Sequence, residues 1–305
     1  MLLIGAGGFA GSHLRPAAEA AGLRVVAAGR GGRDGRPCDL LDAAAVAACV
    51  DAARPDLVVN MAGAASVAAS WERPEEALAV NATGVLHLLE ALAEHAPSAH
   101  VLCVSSAEVY GEPTEERLPF REEQPPAPVT PYGESKAAME RHCDRFARAH
   151  GLRIAVIRAF NQLGPGQSPD FAASGFARQV AAAELAGAET VELSVGNLAA
   201  ARDFTDVRDT ARAFAEVSRR ELTGVYNLCS GRALKLEELV EEMAKATPLP
   251  LRVKPNPDLR RPADPSIVYG SPDRLREAIG WEPRIPLSQT VADLLEWWRA
   301  ELAAT

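Results

Sequence analysis

Long apolar runs are missing from this chain: no stretch of about 18 consecutive apolar residues occurs. That argues against a membrane span or membrane partner, and the N-terminal "MLLIGAGGFAG" has neither the charged start nor the small-residue cleavage site of a signal peptide. The chain therefore reads as cytoplasmic. Cysteine is sparse and odd in number, with five (Cys38, Cys49, Cys103, Cys143, Cys229), no C-x-x-C and no paired histidine spacing. That pattern argues against a disulfide framework or a zinc site, no metal is expected, and the thiols read as small buried apolar groups. Positive charge is in deficit, 32 Lys and Arg against 41 Asp and Glu. A net charge of −9 repels a phosphate backbone, so nucleic acid is not an expected partner, while a small anionic ligand in one arginine-lined pocket remains compatible.

With 305 residues, 48% of them hydrophobic, the chain is able to bury a full core. Its apolar runs are short: "LLIG", "RVVAA", "DLVVNMAG", "HVLCVSS" and "RIAVIRAF", alternating with helical patterns of ten or more residues. That alternation predicts βαβ units and a parallel sheet buried on both faces, a Rossmann-type doubly wound α/β fold. The stretch "PEEALAVNATGVLHLLEALAEH" reads as one long helix. After Phe160 the texture changes to Gly/Pro-rich loops, read as a smaller C-terminal α/β substrate-binding domain, with "DVRDTARAFAEVSRR" and "GVYNLCS" returning to the main sheet. The expected division is discontinuous: residues 1–162 with 204–229 bind a dinucleotide, and 163–203 with 230–305 bind substrate.

"IGAGGFAGSHL" spaces Gly5, Gly8 and Gly11 by three, after the first strand and before the first helix. Glycine there permits a tight turn, close approach of a pyrophosphate and close helix–sheet packing, while the helix N-terminus supplies free N–H groups. The second strand ends in "AAGRGGRDGR". Directly at the strand end, where a carboxylate would meet a ribose 2′-hydroxyl, stand Gly29 and then Arg30; Arg30 and Arg33 instead suit a 2′-phosphate, which favours NADP(H) with NAD(H) possible. Asp39 either accepts from the adenine amino group or caps the helix that begins nearby.

The run "VLCVSSAEVYG" ends a strand with Ser105, Ser106 and Glu108 at the edge where open α/β sheets bind ligands. "TPYGESK" follows, placing Tyr132 and Lys136 four residues apart and so on one helical face. Tyrosine and lysine each occur only four times, so such a pair arises by chance about 0.05 times in a chain of this size, a prior that context must complete. A tyrosine useful in proton transfer near neutrality needs its pKa lowered by roughly 3 units, about 4 kcal/mol, which a nearby ammonium and a cationic nicotinamide would supply.

The glycine turn, "NMAG", "VNATG", "VSSAEVYG", "YGESK", "AFNQLGPGQ" and "RDFTDVRD", in this order over nearly the whole chain, resemble the extended short-chain dehydrogenase/reductases that act on nucleotide sugars. The later segments "VGNLAAARDFTDVRD", "LRRPADP" and "GSPDRLREAIGWEPRIPL" resemble the GDP-sugar branch. The resemblance implies a catalytic set of Ser106, Tyr132 and Lys136, with Glu108 at the acid/base position of the 4,6-dehydratases. It implies cofactor contacts from Gly5, Gly8, Phe9, Ala10, Gly11 and Arg30, from Asp39 and Leu40, from Ala62, Gly63, Ala64 and Asn81, and from Ser105, Tyr132, Lys136 and Phe160. Substrate contacts are implied for Ser106, Glu108, Tyr132, Asn161, Asn197, Arg202, Arg261 and Asp264, the arginines forking onto the diphosphate of a GDP-sugar. A homodimer is implied too. The expected reaction is reduction of a 4-keto group on a GDP-6-deoxyhexose. A 4,6-dehydratase, another nucleotide-sugar ketoreductase or epimerase, and a non-catalytic nucleotide sensor on the same fold stay open. The turn "GAGGFAGSHL" in place of "GITGQDGSYL", the shorter chain and "GRGGR" in place of a double-arginine loop favour the reductase over the dehydratase.

Overall fold

Strands β1 (Leu2–Ile4), β2 (Val26–Gly29), β3 (Arg36–Pro37), β4 (Leu57–Asn60), β5 (His100–Ser106) and β6 (Arg153–Ala159) join a seventh, Gly224–Leu228, in one sheet. Every pairing in that sheet is parallel, and its order is β3-β2-β1-β4-β5-β6 followed by Gly224–Leu228. This is the dinucleotide-binding strand order, reversing at β1. The computed structural model describes residues 1–30, 35–259 and 265–304.

Alternation along each strand divides the core between two faces. Leu2, Ile4, Val58, Val101, Cys103, Ile154 and Val156 point to one side. There they meet α2 (Ala43–Ala53), α5 (Gly84–His95) and α6 (Pro131–His150), through residues such as Val46, Leu88, Leu92, Met139 and Phe146. Their neighbours Leu3, Val59, Leu102, Ala155 and Ile157 point to the other side, under α1 (Phe9–Ala20) and α8 (Val207–Arg219), where Leu14, Ala18, Phe214 and Val217 close the layer. Gly224–Leu228 and α8 thus join the main sheet and its covering layer.

A third cluster lies in the C-terminal portion. Helix α7 (Ala172–Leu185) packs with helices Leu236–Ala246 and Leu287–Ala303 over the parallel strand pair Val191–Val195 and Leu251–Pro255, burying Phe176, Val180, Leu193, Met243, Leu294 and Trp298. Two short pairings connect this portion to the sheet's C-terminal edge: Asn161–Leu163 with Phe204–Asp206, and Ala201–Arg202 with Leu234–Lys235 and Ile267–Val268.

The helix expected over residues 74–95 is interrupted. After the short α3 (Val67–Glu72), α4 (Pro74–Leu78) passes into a π-helical turn, Ala79–Thr83, before α5 resumes. By length and composition Pro74–His95 could cross a membrane, but half of it is buried inside the protein. The π turn places Asn81 where its side chain serves the loop after β4, as described next.

Candidate active site

Parallel strands deliver their C-terminal ends to one edge, so the segments after β1, β4, β5 and β6 converge there. Gly5 adopts φ +83°, and a Cβ on it would lie 2.7 Å from the Ala62 nitrogen. A Cβ on Gly11 would lie 2.2 Å from the Gly5 carbonyl oxygen. Helix α1 can approach the turn this closely only because position 11 lacks a side chain. The helix starts at Gly8 with no side-chain cap, leaving its first N–H groups directed at the edge where a pyrophosphate would sit. Phe9 and Ala10 form its first turn. His13, one turn on, bonds the Pro165 carbonyl oxygen at 2.8 Å, so the loop following the short strand Asn161–Leu163 lies against α1.

At the end of β2, Arg30 is exposed, while Arg33 lies outside the described residues. The cap of α2 is Asp42, which accepts from the Ala45 N–H at 3.0 Å. The capping alternative for Asp39 is thereby corrected: its carboxylate accepts from the Leu41 N–H at 3.1 Å and closes a turn. Leu40 is buried against Gly84, where a Cβ would approach its own to 2.8 Å.

Asn81, 1% exposed, clamps the loop after β4. It accepts from the Ala64 N–H at 2.9 Å, donates to the Ala64 carbonyl at 3.0 Å and donates to Ser135 Oγ at 2.9 Å. Ser135 Oγ in turn donates to the Tyr132 carbonyl at 2.7 Å. A Cβ at Gly63 would sit 2.8 Å from Asn81 Oδ1 and 3.4 Å from Lys136 Nζ. The residues expected to touch the cofactor are thus joined to the helix carrying Tyr132, with Asn81 acting through the main chain of Ala64.

Tyr132 and Lys136 lie one turn apart on α6, with Nζ 5.8 Å from the phenol ring centre. Nζ donates to the Val104 carbonyl at 2.9 Å. Burial lowers the Lys136 pKa to about 8, since the ammonium has been withdrawn from water. Burial also pushes Tyr132 up to about 12, opposed by the Ser106 hydroxyl and reinforced by the Glu108 charge. Desolvation of the phenolate is the dominant influence of the protein itself on this group.

Ser106 Oγ accepts from the Glu108 N–H at 3.2 Å. Glu108 Oε2 accepts from Thr130 Oγ1 at 3.3 Å, and Thr130 caps α6 through the Gly133 N–H at 3.0 Å. Ser105 faces the other way. Its hydroxyl donates to Glu140 Oε1 at 2.6 Å, inside a two-pronged pair with Arg158 at 3.0 and 2.8 Å, and the Arg158 guanidinium lies over the Tyr110 ring. The Phe160 ring is buried with Tyr110 and Phe120, leaving its main chain as the part available at the edge.

The substrate-side residues are less closely assembled. The Asn161 N–H donates to the Asp203 carbonyl at 3.0 Å, and Arg202 Nη1 donates to the Ala201 and Pro265 carbonyls, each at 2.8 Å. Asn197 Oδ1 accepts from the Ala199 N–H at 3.2 Å. Arg261 and Asp264 lie outside the described residues. Asp203, absent from the expected set, is fully buried and joins three segments: it accepts from Ser230 N and Oγ, Gly231 N and Gly270 N at 2.6, 2.7, 3.0 and 3.4 Å. Burial still raises its pKa to about 6 against those four donors. Its sequence signal was a carboxylate between Arg202 and Phe204, read only as part of a motif.

A family profile described as GDP-mannose 4,6 dehydratase matches residues 36–294. The chain is 36% identical to a GDP-6-deoxy-D-mannose reductase from Pseudomonas aeruginosa, over 81% of this chain and 82% of that one. Among solved structures it is similar to RMD from Pseudomonas aeruginosa complexed with NADPH, with a TM-score of 0.87, 34% identity and 98% and 99% of the two chains covered. It is also similar to a Thermus thermophilus UDP-glucose 4-epimerase in complex with NAD, with a TM-score of 0.87, 28% identity and 98% of each chain covered.

Proposed function

The chain belongs to the GDP-mannose 4,6-dehydratase family of extended short-chain dehydrogenase/reductases, and from that membership we propose that it reduces the 4-keto group of GDP-4-keto-6-deoxy-D-mannose, giving GDP-D-rhamnose with NADPH as reductant. The observation that carries this reading is the 36% identity to a reductase acting at that step. The grouping around Tyr132 supports it, since its phenol lies beside the Ser106 hydroxyl and one helical turn from Lys136, the arrangement by which a proton is delivered in a ketone reduction.

The residues present fit a dinucleotide. The crowded glycine turn and the uncapped start of α1 suit a pyrophosphate, Arg30 suits a 2′-phosphate, and we assign Asp39 and Leu40 to the adenine. NADP(H) is the preferred cofactor, with NAD(H) the alternative, and when bound it supplies the hydride. Tyr132 Oη gives its proton to the ketone oxygen, Ser106 orients that oxygen, and Lys136 stabilises the tyrosinate left behind. Asn161, Asn197 and Arg202, with Arg261 and Asp264, hold the GDP-sugar diphosphate, the arginines by planar two-point contacts. We read the protein as a cytoplasmic homodimer.

Glu108 keeps one second reading in view, GDP-mannose 4,6-dehydration, because a carboxylate stands beside the tyrosine where that chemistry abstracts a proton. Incubation with GDP-4-keto-6-deoxy-D-mannose and NADPH or NADH, followed by nicotinamide absorbance and product identification, separates the two. Consumption of reductant is expected. Inertness toward the keto sugar, together with dehydration of GDP-mannose in a parallel incubation, hands the assignment to the dehydratase. Tyr132→Phe should abolish turnover while leaving cofactor binding nearly intact; a variant with nearly wild-type turnover sinks the role of Tyr132.

A further inference from the structure

The helical stretch that clamps the loop after β4 also meets the loop after β3. His87, one turn beyond Gly84 on α5, is bonded through Nδ1 to the Leu40 carbonyl oxygen at 2.8 Å. A carbonyl oxygen only accepts, so Nδ1 carries the hydrogen and donates it. Among the described residues nothing else donates to that oxygen. The Leu40 side chain rests on the same face of the helix, where a Cβ on Gly84 would lie 2.8 Å from its own.

The peptide unit joining Leu40 to Leu41 is therefore held at both ends. Its carbonyl oxygen takes the His87 hydrogen, and its N–H goes to Asp39 Oδ1 at 3.1 Å. A peptide unit is planar, so the two bonds fix one orientation: turning the carbonyl away from His87 swings the N–H away from Asp39. Among the described residues no other group bonds the Asp39 side chain. The turn's remaining bond, from the Asp42 N–H to the Asp39 carbonyl at 3.0 Å, holds main chain and leaves the carboxylate to the Leu41 N–H. That bond occupies one of about four acceptor sites on a carboxylate, so the group is oriented and still able to accept from an amino group.

We propose that His87 is a positioning residue for the cofactor: by holding the Leu40–Leu41 peptide it aims the Asp39 carboxylate at the adenine amino group. This rests on the assignment of Asp39 to the adenine, and is independent of which nucleotide sugar reacts. Asn81 and His87 then divide one task along a single helical stretch, the first fixing the loop after β4 and the second the loop after β3. Without the His87 donor the peptide is free to turn, and Asp39 keeps its charge but loses the bond that directs it.

The test measures NADPH dissociation constants by nicotinamide fluorescence, with no sugar nucleotide present, in His87→Leu, His87→Asn, Asp39→Ala and the double variant His87→Leu, Asp39→Ala. Turnover of the keto sugar judges the proposed function separately, since a protein that reduces no keto sugar still yields these constants. Leucine suits the helix and removes the donor, whereas asparagine carries an amide N–H the same number of bonds from the main chain as Nδ1. Losing a hydrogen bond to a charged acceptor should weaken binding about tenfold in Asp39→Ala, and misdirecting that acceptor about fivefold in His87→Leu. His87→Asn should bind as the wild type does. The double variant should be no weaker than Asp39→Ala, because a residue acting through another adds nothing once the other is gone. A double variant weakened by the product of the two effects, about fiftyfold, overturns the proposal. So does a His87→Leu protein that binds like the wild type, or a His87→Asn protein as weak as the leucine variant.

Discussion

Replacing Glu140 by Gln should destabilise the protein by about 4 kcal/mol, a value set by how deeply the Arg158–Glu140 pair is buried. Side-chain exposure is 4% for Arg158 and 10% for Glu140, and the two groups meet through charge-assisted bonds of 3.0 and 2.8 Å, with Ser105 Oγ as a third partner at 2.6 Å. Removing one member of such a pair leaves the other charge without compensation in a poorly solvated place, which costs roughly 3–5 kcal/mol. With an unfolding entropy near 2.1 cal/mol/K per residue, about 0.6 kcal/mol/K for this chain, 4 kcal/mol corresponds to a fall in Tm of about 6 °C. Thermal unfolding followed by circular dichroism reads this directly. The double variant Glu140→Leu, Arg158→Met should recover most of the loss, because replacing a whole buried pair by apolar groups is often neutral. A single variant that melts within about 1 °C of the wild type would refute the reasoning.

Two further outcomes follow from the same site. Gly11→Ala, whose Cβ would lie 2.2 Å from the Gly5 carbonyl oxygen, should push α1 off the turn and weaken NADPH binding by at least about tenfold in a fluorescence titration. Lys136 has a folded pKa near 8 against 10.5 for the free side chain. Its buried charge therefore costs stability below pH 8, and the cost is relieved as pH rises from 8 to 10.5. Urea denaturation should show wild-type stability gaining about 3 kcal/mol over that window relative to Lys136→Met, and equal slopes for the two proteins would count against a buried ammonium.

What could be read in the sequence was local. The strand, glycine turn and helix at residues 2–20 announce themselves by spacing, and Tyr132 and Lys136 share a face because a helix has 3.6 residues per turn. Long-range pairings leave no such trace. Asn81 meets Ala64 and Ser135 across 17 and 54 positions, so the π turn that brings it inward looked like ordinary helix. Glu140 and Arg158 were indistinguishable from surface charges, since only the packing of α6 on β5 and β6 removes them from water. The burial that acts on the Tyr132 phenol was hidden for a related reason: a neighbouring ammonium is visible in "YGESK", whereas burial of the ring is a property of the whole assembly.

The π turn at Ala79–Thr83 also sets how this gene segment can change length. Such a turn is a helix carrying one surplus residue, inserted between the short apolar face of α4 and the Val85, Leu88, Leu89 and Leu92 stripe of α5. Deleting a single codon at Ala82 would let the backbone relax into plain α-helix with both faces still turned to the core. The fold would absorb that deletion, while the loop at Ala64 would lose its clamp. Residues 79–83 are therefore a place where a one-residue deletion separates the chain's ability to fold from its ability to hold a cofactor.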